Sequence, residues 1–216
     1  MANFQSGDML DTALSNALKH EFLRCEDAFK DFEVSGTRMI MMAQNAAQTG
    51  KPVAAEDQRQ IAYKTYNAYS RFIHHLYEFM LGALKRDTKN TKSADDYSDA
   101  ERYIAGNTQR ILTNRREAIK NGTAPSWENH ISAYPEKIPP DFAKDFRRYR
   151  NKIIGHVSHE RSTLSLSEFY ERYHMYLYML YYDCRGFWGL RDQEFPDLKE
   201  ITDFSILIEK MPPSQP

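Results

Sequence analysis

Apolar residues recur every three or four positions along almost the whole chain of 216 residues, and this spacing constrains the fold more than any other feature. The first long run steps from Leu10 through Leu18 and Phe22 to Phe32. No stretch of useful length alternates apolar and polar residues, apart from the ambiguous run 204–208. The pattern therefore predicts an all-α protein, an up-and-down bundle of four to six helices.

Turn signals divide this pattern into separate helices. Ser35-Gly36 predicts an end to the first helix, with a short continuation over 38–48, and the run 49–52 (Thr-Gly-Lys-Pro) predicts a turn. The later helices are expected over about 54–85, over about 97–118, from 142 onwards, and from a capping box at 165–168. These signals place five helices in the predicted up-and-down bundle.

Three further segments differ from the helical pattern. The polar stretch 87–96 is expected to be a loop, and the segment 121–140 holds Gly122 and four prolines, so it cannot form one regular helix. The stretch 192–210 carries six acidic residues against two lysines. We therefore predict one helical domain over 1–190 and an acidic C-terminal extension over 191–216.

Charge and composition exclude several classes of protein. With 29 basic and 30 acidic residues the net charge is −1, so any nucleic-acid site must be a local basic patch. Cys25 and Cys184 form no C-x-x-C pair, which argues against a disulfide framework or a cysteine zinc site. The first residues lack the pattern of a signal peptide, and the apolar run 175–190 is too short to span a bilayer. These features predict a cytoplasmic protein with no membrane partner.

The run 147–156 (Arg-Arg-Tyr-Arg-Asn-Lys-Ile-Ile-Gly-His) stands above this background. From 144 to 161 there are six lysines and arginines against two acidic residues. A histidine such as His156 can move the protons of RNA transesterification near neutral pH, because its ordinary pKa lies close to 7. Arg150 can hold the phosphate in its planar fork, and Asn151 can orient the phosphate or the imidazole. Arg150, Asn151 and His156 are therefore candidate catalytic residues, and the chemistry needs no metal or other cofactor.

The arrangement Arg150-Asn151-x4-His156, late in a helical chain, resembles the R-x(4–6)-H signature of the HEPN superfamily. The similarity runs from about the second long helix to the fifth. It implies a HEPN-like helical bundle, a homodimer, and metal-independent endoribonuclease activity that leaves a 2′,3′-cyclic phosphate. It also implies a toxin–antitoxin or phage-defence setting, with a nucleotidyltransferase-like antitoxin as a candidate partner.

The spacing of the motif gives a separate reason to expect a dimer. An ideal helix would separate Arg150 and His156 by about 120° around the axis and about 9 Å along it. Gly155 permits a local break that could redirect the imidazole. A second copy across a two-fold axis would bring two arginines and two histidines into one cleft, which supplies both an acid and a base.

Other basic and aromatic side chains are candidates for binding the RNA backbone or its bases. The predicted RNA-binding residues are Arg147, Arg148, Lys152, His159, Arg115 and Arg116. An ordinary solvent-facing surface is the alternative for His159 and for the cluster 110–116. Trp127 and Tyr134 either stack on bases or fix the long segment to the core. The tyrosines of the fifth helix, from 170 to 182, are expected to be mostly core or dimer contacts.

The sequence leaves two other functions open. One is a non-catalytic HEPN-like module that binds nucleic acid or protein. The other is a metal-binding helical bundle around Glu171 and His174, although the chain has no second E-x-x-H. His74 and His75 point about 100° apart on an ideal helix, so they are predicted to chelate one ion poorly and no metal is expected. The acidic stretch 192–210 is a candidate cover for the basic cleft or contact for a regulator.

Overall fold

The computed structural model describes residues 3–128, 130–152, 164–186 and 199–209. These residues form six α-helices and two short 3₁₀ turns, and none of them lies in a β-strand. The α-helices are α1 (Met9–Thr49), α2 (Ala55–Asp87), α3 (Tyr97–Lys120), α4 (Phe142–Arg150), α5 (Leu166–Cys184) and α6 (Lys199–Glu209). The prediction of an all-α bundle is confirmed.

The two longest helices, α1 and α2, form an antiparallel hairpin. Their interface is the most extensive contact between two helices of the structure. The predicted turn at 49–52 separates them, and Gly50 ends α1 with a φ of 66°. Glycine reaches this left-handed conformation without steric cost, which is why it closes so many helices. At the other end of α2, residues 88–96 form the expected loop before α3.

The predicted break at Ser35-Gly36 is wrong, because α1 runs without interruption from Met9 to Thr49. The Ser35 hydroxyl donates to the carbonyl oxygen of Asp31 at 2.7 Å, so this side chain bonds within the helix and does not cap it. An interior glycine costs a helix about 1 kcal/mol relative to alanine. Packing of α1 along α2 outweighs that cost.

Helices α1 to α5 all contribute to one hydrophobic core, which is rich in aromatic rings where α1, α2 and α5 meet. Phe72 of α2 is fully buried, with its ring centroid 4.8 Å from that of Phe29 and 5.6 Å from that of Tyr181. Of the six tyrosines of α5, half pack into the core. Those at 173, 176 and 181 are buried, whereas those at 170, 178 and 182 are exposed.

The long connection between α3 and α4 contains the two 3₁₀ turns, Ser126–Glu128 and Ile131–Ala133, and no longer helix among its described residues. Its prolines prevent regular helix formation, as predicted. Trp127 is 80% exposed, so it does not fix this segment to the core. The predicted start of α5 is confirmed, since the Ser165 hydroxyl accepts a hydrogen bond from the backbone N–H of Glu168 at 3.1 Å.

The acidic C-terminal stretch contains a helix that its sequence pattern did not indicate. Residues Lys199–Glu209 form α6, which includes the ambiguous run 204–208 and exposes Phe204 and Leu207. The rest of the predicted extension over 191–216 lies outside the described residues. No described helix carries an apolar stretch long enough to cross a membrane.

Candidate functional site

Helix α4 positions the first half of the candidate motif. Phe142 and Phe146 of this helix are fully buried, and Tyr149 stacks on Phe169 of α5 with ring centroids 4.1 Å apart. The apolar face thereby fixes the rotation of α4 against α2 and α5. Basic residues occupy the last turn, where the helix dipole favours positive charge. The helix ends at Arg150, and the backbone remains helical at Asn151.

Arg150 is held by three different contacts. Its guanidinium donates to the Asn151 side-chain oxygen at 2.7 Å and to a carboxylate oxygen of Glu78 on α2. It also lies over the ring of Tyr77, 5.7 Å from the centroid. The side chain keeps 28% of its surface exposed, whereas its Nε is buried and has no hydrogen-bond partner among the described residues. Arg150 is therefore oriented and half-buried, with donor capacity left over.

Arg150 borders a pocket of about 420 Å³ between α1 and α2. The polar side chains that line this pocket come from both helices of the hairpin: Glu21 and Arg24 from α1, and His74, His75 and Glu78 from α2. The apolar side is formed by Leu14, Ala17 and Leu18, with Gly82 opposite them. The pocket thus combines two guanidinium groups, two imidazoles and two carboxylates in one half-buried space.

Glu21 and His75 form a hydrogen-bonded pair across the hairpin. The His75 Nδ1 and the Glu21 Oε1 lie 2.7 Å apart, and Arg24 approaches the other oxygen of Glu21 at 3.6 Å. Burial alone would raise the pKa of Glu21, but the hydrogen bond from His75 and the nearby positive charges lower the pKa below its ordinary value. Glu21 is therefore an ionised acceptor that orients the His75 ring.

His74 differs from His75 in its surroundings. Its Nδ1 is buried without a hydrogen-bond partner in the described part of the chain. Burial lowers the pKa of His74; the charges of His75 and Arg150 lower it further, and Glu78 and Glu21 partly oppose this shift. His74 is therefore a neutral imidazole at pH 7, able to accept a proton or to bind a ligand.

The predicted RNA-binding residues are dispersed and partly engaged in other contacts. Arg147 pairs with Glu101 at 2.7 Å and lies over the ring of Tyr97. Arg116 is only 15% exposed and donates to the carbonyl oxygen of Tyr134, so it holds the α3–α4 connection. Both side chains are engaged in contacts within the protein, so neither lies in an open groove.

The remaining predicted site residues divide between the surface and the undescribed part of the chain. Arg148 is exposed on α4, and Lys152 is half-buried after it. Arg115 lies about 6 Å from the ring centroids of Tyr134 and Tyr182. His156 and His159 fall outside the described residues. The motif is thus represented in the structure by Arg150 and Asn151.

The alternative metal site around Glu171 and His174 gains no further ligand among the residues that the structure describes. The His174 Nδ1 lies 3.0 Å from the Tyr69 hydroxyl, and its ring stacks on Tyr170 with centroids 4.3 Å apart. Burial lowers the pKa of His174 to about 4. His174 is a packed, neutral histidine of the aromatic core.

The described residues do contain one group of three side chains that could together bind a metal ion, but this group lies away from Glu171 and His174. Glu21, His74 and His75 each offer a ligand atom, and these atoms lie within 4.8 Å of one another. Ideal helix geometry predicts that the two adjacent histidines chelate one ion poorly, yet both line the same pocket. The sequence does indicate which side of α2 lines the pocket, because His74, Glu78 and Gly82 are spaced one helical turn apart. Glu21 carried no such signal, because it lies on another helix.

Comparisons with protein-family models, with curated proteins and with solved structures found no match to this chain.

Proposed function

We propose that this protein is a metal-independent endoribonuclease of HEPN type, which cleaves RNA by attack of a 2′-hydroxyl on the adjacent phosphorus. The observation that carries the proposal is the position of Arg150 and Asn151. Arg150 is oriented by Asn151 and Glu78, and its guanidinium borders a pocket that also holds two imidazoles. A guanidinium positioned in this way suits phosphoryl chemistry, in which negative charge builds up on the phosphate oxygens, and the proton transfer is assigned to His156 of the motif.

In this mechanism Arg150 binds the scissile phosphate and stabilises the charge that builds up on its oxygens. Asn151 holds the guanidinium in place through its side-chain oxygen. His156 transfers the proton, taking it from the attacking 2′-hydroxyl or giving it to the departing 5′-oxygen. A homodimer supplies the second motif histidine, so that one acid and one base act on the same phosphate. The setting we propose is a toxin or a phage-defence effector, with RNA as substrate and a nucleotidyltransferase-like antitoxin as partner.

A purified, full-length protein tests this function directly when it is incubated with RNA in EDTA. We expect cleavage by the wild type and a loss of about 10²- to 10⁴-fold in His156→Ala, because general acid–base assistance contributes that much to such reactions. His130→Ala is the matched control, since His130 is an exposed histidine of the α3–α4 connection. Equal cleavage by His156→Ala would contradict the assignment. Intact RNA that the wild type binds without cutting would instead indicate a non-catalytic binding module.

The ion pair between Arg150 and Glu78 gives a second prediction, on RNA affinity. An incoming phosphate must compete with the Glu78 carboxylate for the guanidinium. Because a partly exposed ion pair contributes up to about 1 kcal/mol, Glu78→Gln should bind RNA about two- to fivefold more tightly. The measurement is the dissociation constant of an RNA with 2′-O-methyl groups, which cannot be cleaved by this route.

Glu56→Gln is the control for this prediction, because it removes an exposed negative charge at the far end of the same helix. Its affinity for the modified RNA should equal that of the wild type. If Glu78→Gln binds no more tightly than Glu56→Gln, Arg150 does not contact the phosphate in the way proposed.

A further inference from the structure

Glu21, His74 and His75 bring two imidazoles and one carboxylate together from neighbouring helices. Glu21 lies on α1 and the two histidines lie on α2, so the antiparallel packing of the hairpin assembles the group. Their ligand atoms lie within 4.8 Å of one another, at the wall of the pocket that Arg150 borders. All three side chains are half-buried, so an ion could reach them through the pocket.

The chemistry of this group matches that of a zinc site. Zinc in proteins is bound by histidine nitrogens and carboxylate oxygens at about 2.0–2.2 Å, which places neighbouring ligand atoms about 3.4 Å apart in a tetrahedron. The present spacing exceeds this by little more than an ångström at most, a difference that side-chain rotation can close. Three protein ligands leave a fourth position open toward the pocket, as in zinc sites that bind water or an anion.

The charges and hydrogen bonds of the pocket also favour binding of a cation. The Glu21 carboxylate is ionised and already bonded to His75 at 2.7 Å, so a metal ion would take the place of the proton between them. His74 has a buried Nδ1 with no hydrogen-bond partner among the described residues, so binding an ion at that nitrogen breaks no hydrogen bond. The charge of Arg150 is balanced by Glu78, and Arg24 remains half-exposed to solvent.

We propose that Glu21, His74 and His75 bind one divalent transition-metal ion, with Zn²⁺ as the best-matched ion, in the pocket bordered by Arg150. Metal binding here does not require that the pocket cleave RNA. The cleavage chemistry assigned to Arg150 and His156 likewise needs no metal, so the ion occupies a separate ligand site in the same pocket. An anion on its open position would lie in the pocket that Arg150 borders.

The test is a calorimetric titration of the full-length, untagged and chelator-stripped protein with ZnCl₂, supported by the visible absorption of bound Co²⁺. We expect one ion per chain, and affinity at least about tenfold weaker in His74→Gln, His75→Gln and Glu21→Gln, since even residues that only support a metal ligand contribute that much. His130→Gln is the matched control and should bind as the wild type does. Thermal unfolding of each metal-free variant verifies that it is folded.

Absence of saturable binding by the wild type would overturn the proposal. So would wild-type affinity in His74→Gln, which is the variant least able to disturb the fold because it removes no hydrogen bond of the His74 Nδ1. The titration contains no RNA and the cleavage assay contains EDTA. Failure of the metal site and failure of the proposed ribonuclease activity are therefore observed separately.

Discussion

Replacement of Arg150 by alanine is expected to reduce RNA cleavage about 10²- to 10³-fold, the usual loss when a positioned donor to the transition-state charge is removed. The effect should be large because the guanidinium is half-buried and oriented by Asn151 and Glu78 before substrate arrives. In such a site the electrostatic interaction with a phosphate is stronger than at an exposed surface. The measurement is the rate of RNA cleavage in EDTA at saturating RNA.

Two comparison variants make this prediction specific to the position. Arg102→Ala removes an exposed arginine of α3 that pairs with Asp99 one turn away, and its cleavage rate should be unchanged. Arg150→Lys keeps the charge but loses the planar fork, so it should recover only part of the activity. Because Arg150→Ala leaves Glu78 without its partner, thermal unfolding of this variant verifies that it is folded. A folded Arg150→Ala enzyme with the rate of Arg102→Ala would contradict the proposed role.

The second large effect concerns stability. Phe72→Ala is expected to lower the free energy of unfolding by about 3–5 kcal/mol, the cost of removing a buried phenylalanine side chain from a packed core. Phe72 is fully buried and contacts rings of both α1 and α5, which lie far apart in the sequence. Its loss leaves a cavity at the junction of three helices. Denaturant unfolding followed by circular dichroism measures the change.

Tyr63→Ala is the control for Phe72→Ala, because Tyr63 is an aromatic residue of the same helix that is 68% exposed. Its effect should stay within about 0.5 kcal/mol, as is usual for surface substitutions. Similar losses in the two variants would contradict the packing of Phe72 into the core between α1, α2 and α5.

Much of the fold could be predicted from the sequence because the helices depend on local patterns. The spacing of apolar residues located α1 to α5, and the signals at Gly50 and Ser165 marked real helix ends. The break at Ser35-Gly36 was wrong since a glycine only weakens a helix, and the outcome depends on packing against α2. The helix α6 was not predicted, because its apolar run is short and lies among acidic residues, so its local pattern is weak.

The candidate site was only partly predictable, because it is assembled by tertiary contacts. The motif identified Arg150 and Asn151, which are neighbours in the chain. Glu21 and His75 are 54 positions apart, and nothing in one sequence shows that the register of the hairpin brings them to 2.7 Å. The pairing of Arg150 with Glu78 of α2 could not be predicted from the sequence for the same reason.

Basic residues show a further limit of sequence patterns. A cluster of arginines predicts a phosphate-binding surface, but it does not reveal which charges the fold itself uses. Arg116 supports the α3–α4 connection and Arg147 pairs with Glu101, because long side chains find acceptors that lie near them only after folding. Arg116 and Arg147 are therefore less accessible to a phosphate than their positions in the sequence suggest.

The most direct test of the ribonuclease assignment is the chemical nature of the RNA ends produced in EDTA. Attack by the 2′-hydroxyl must leave a 2′,3′-cyclic phosphate on one fragment and a 5′-hydroxyl on the other, and we expect these ends from the wild type but not from Arg150→Ala. RNA that stays intact with folded wild-type protein, or fragments with 3′-hydroxyl and 5′-phosphate ends, would contradict it.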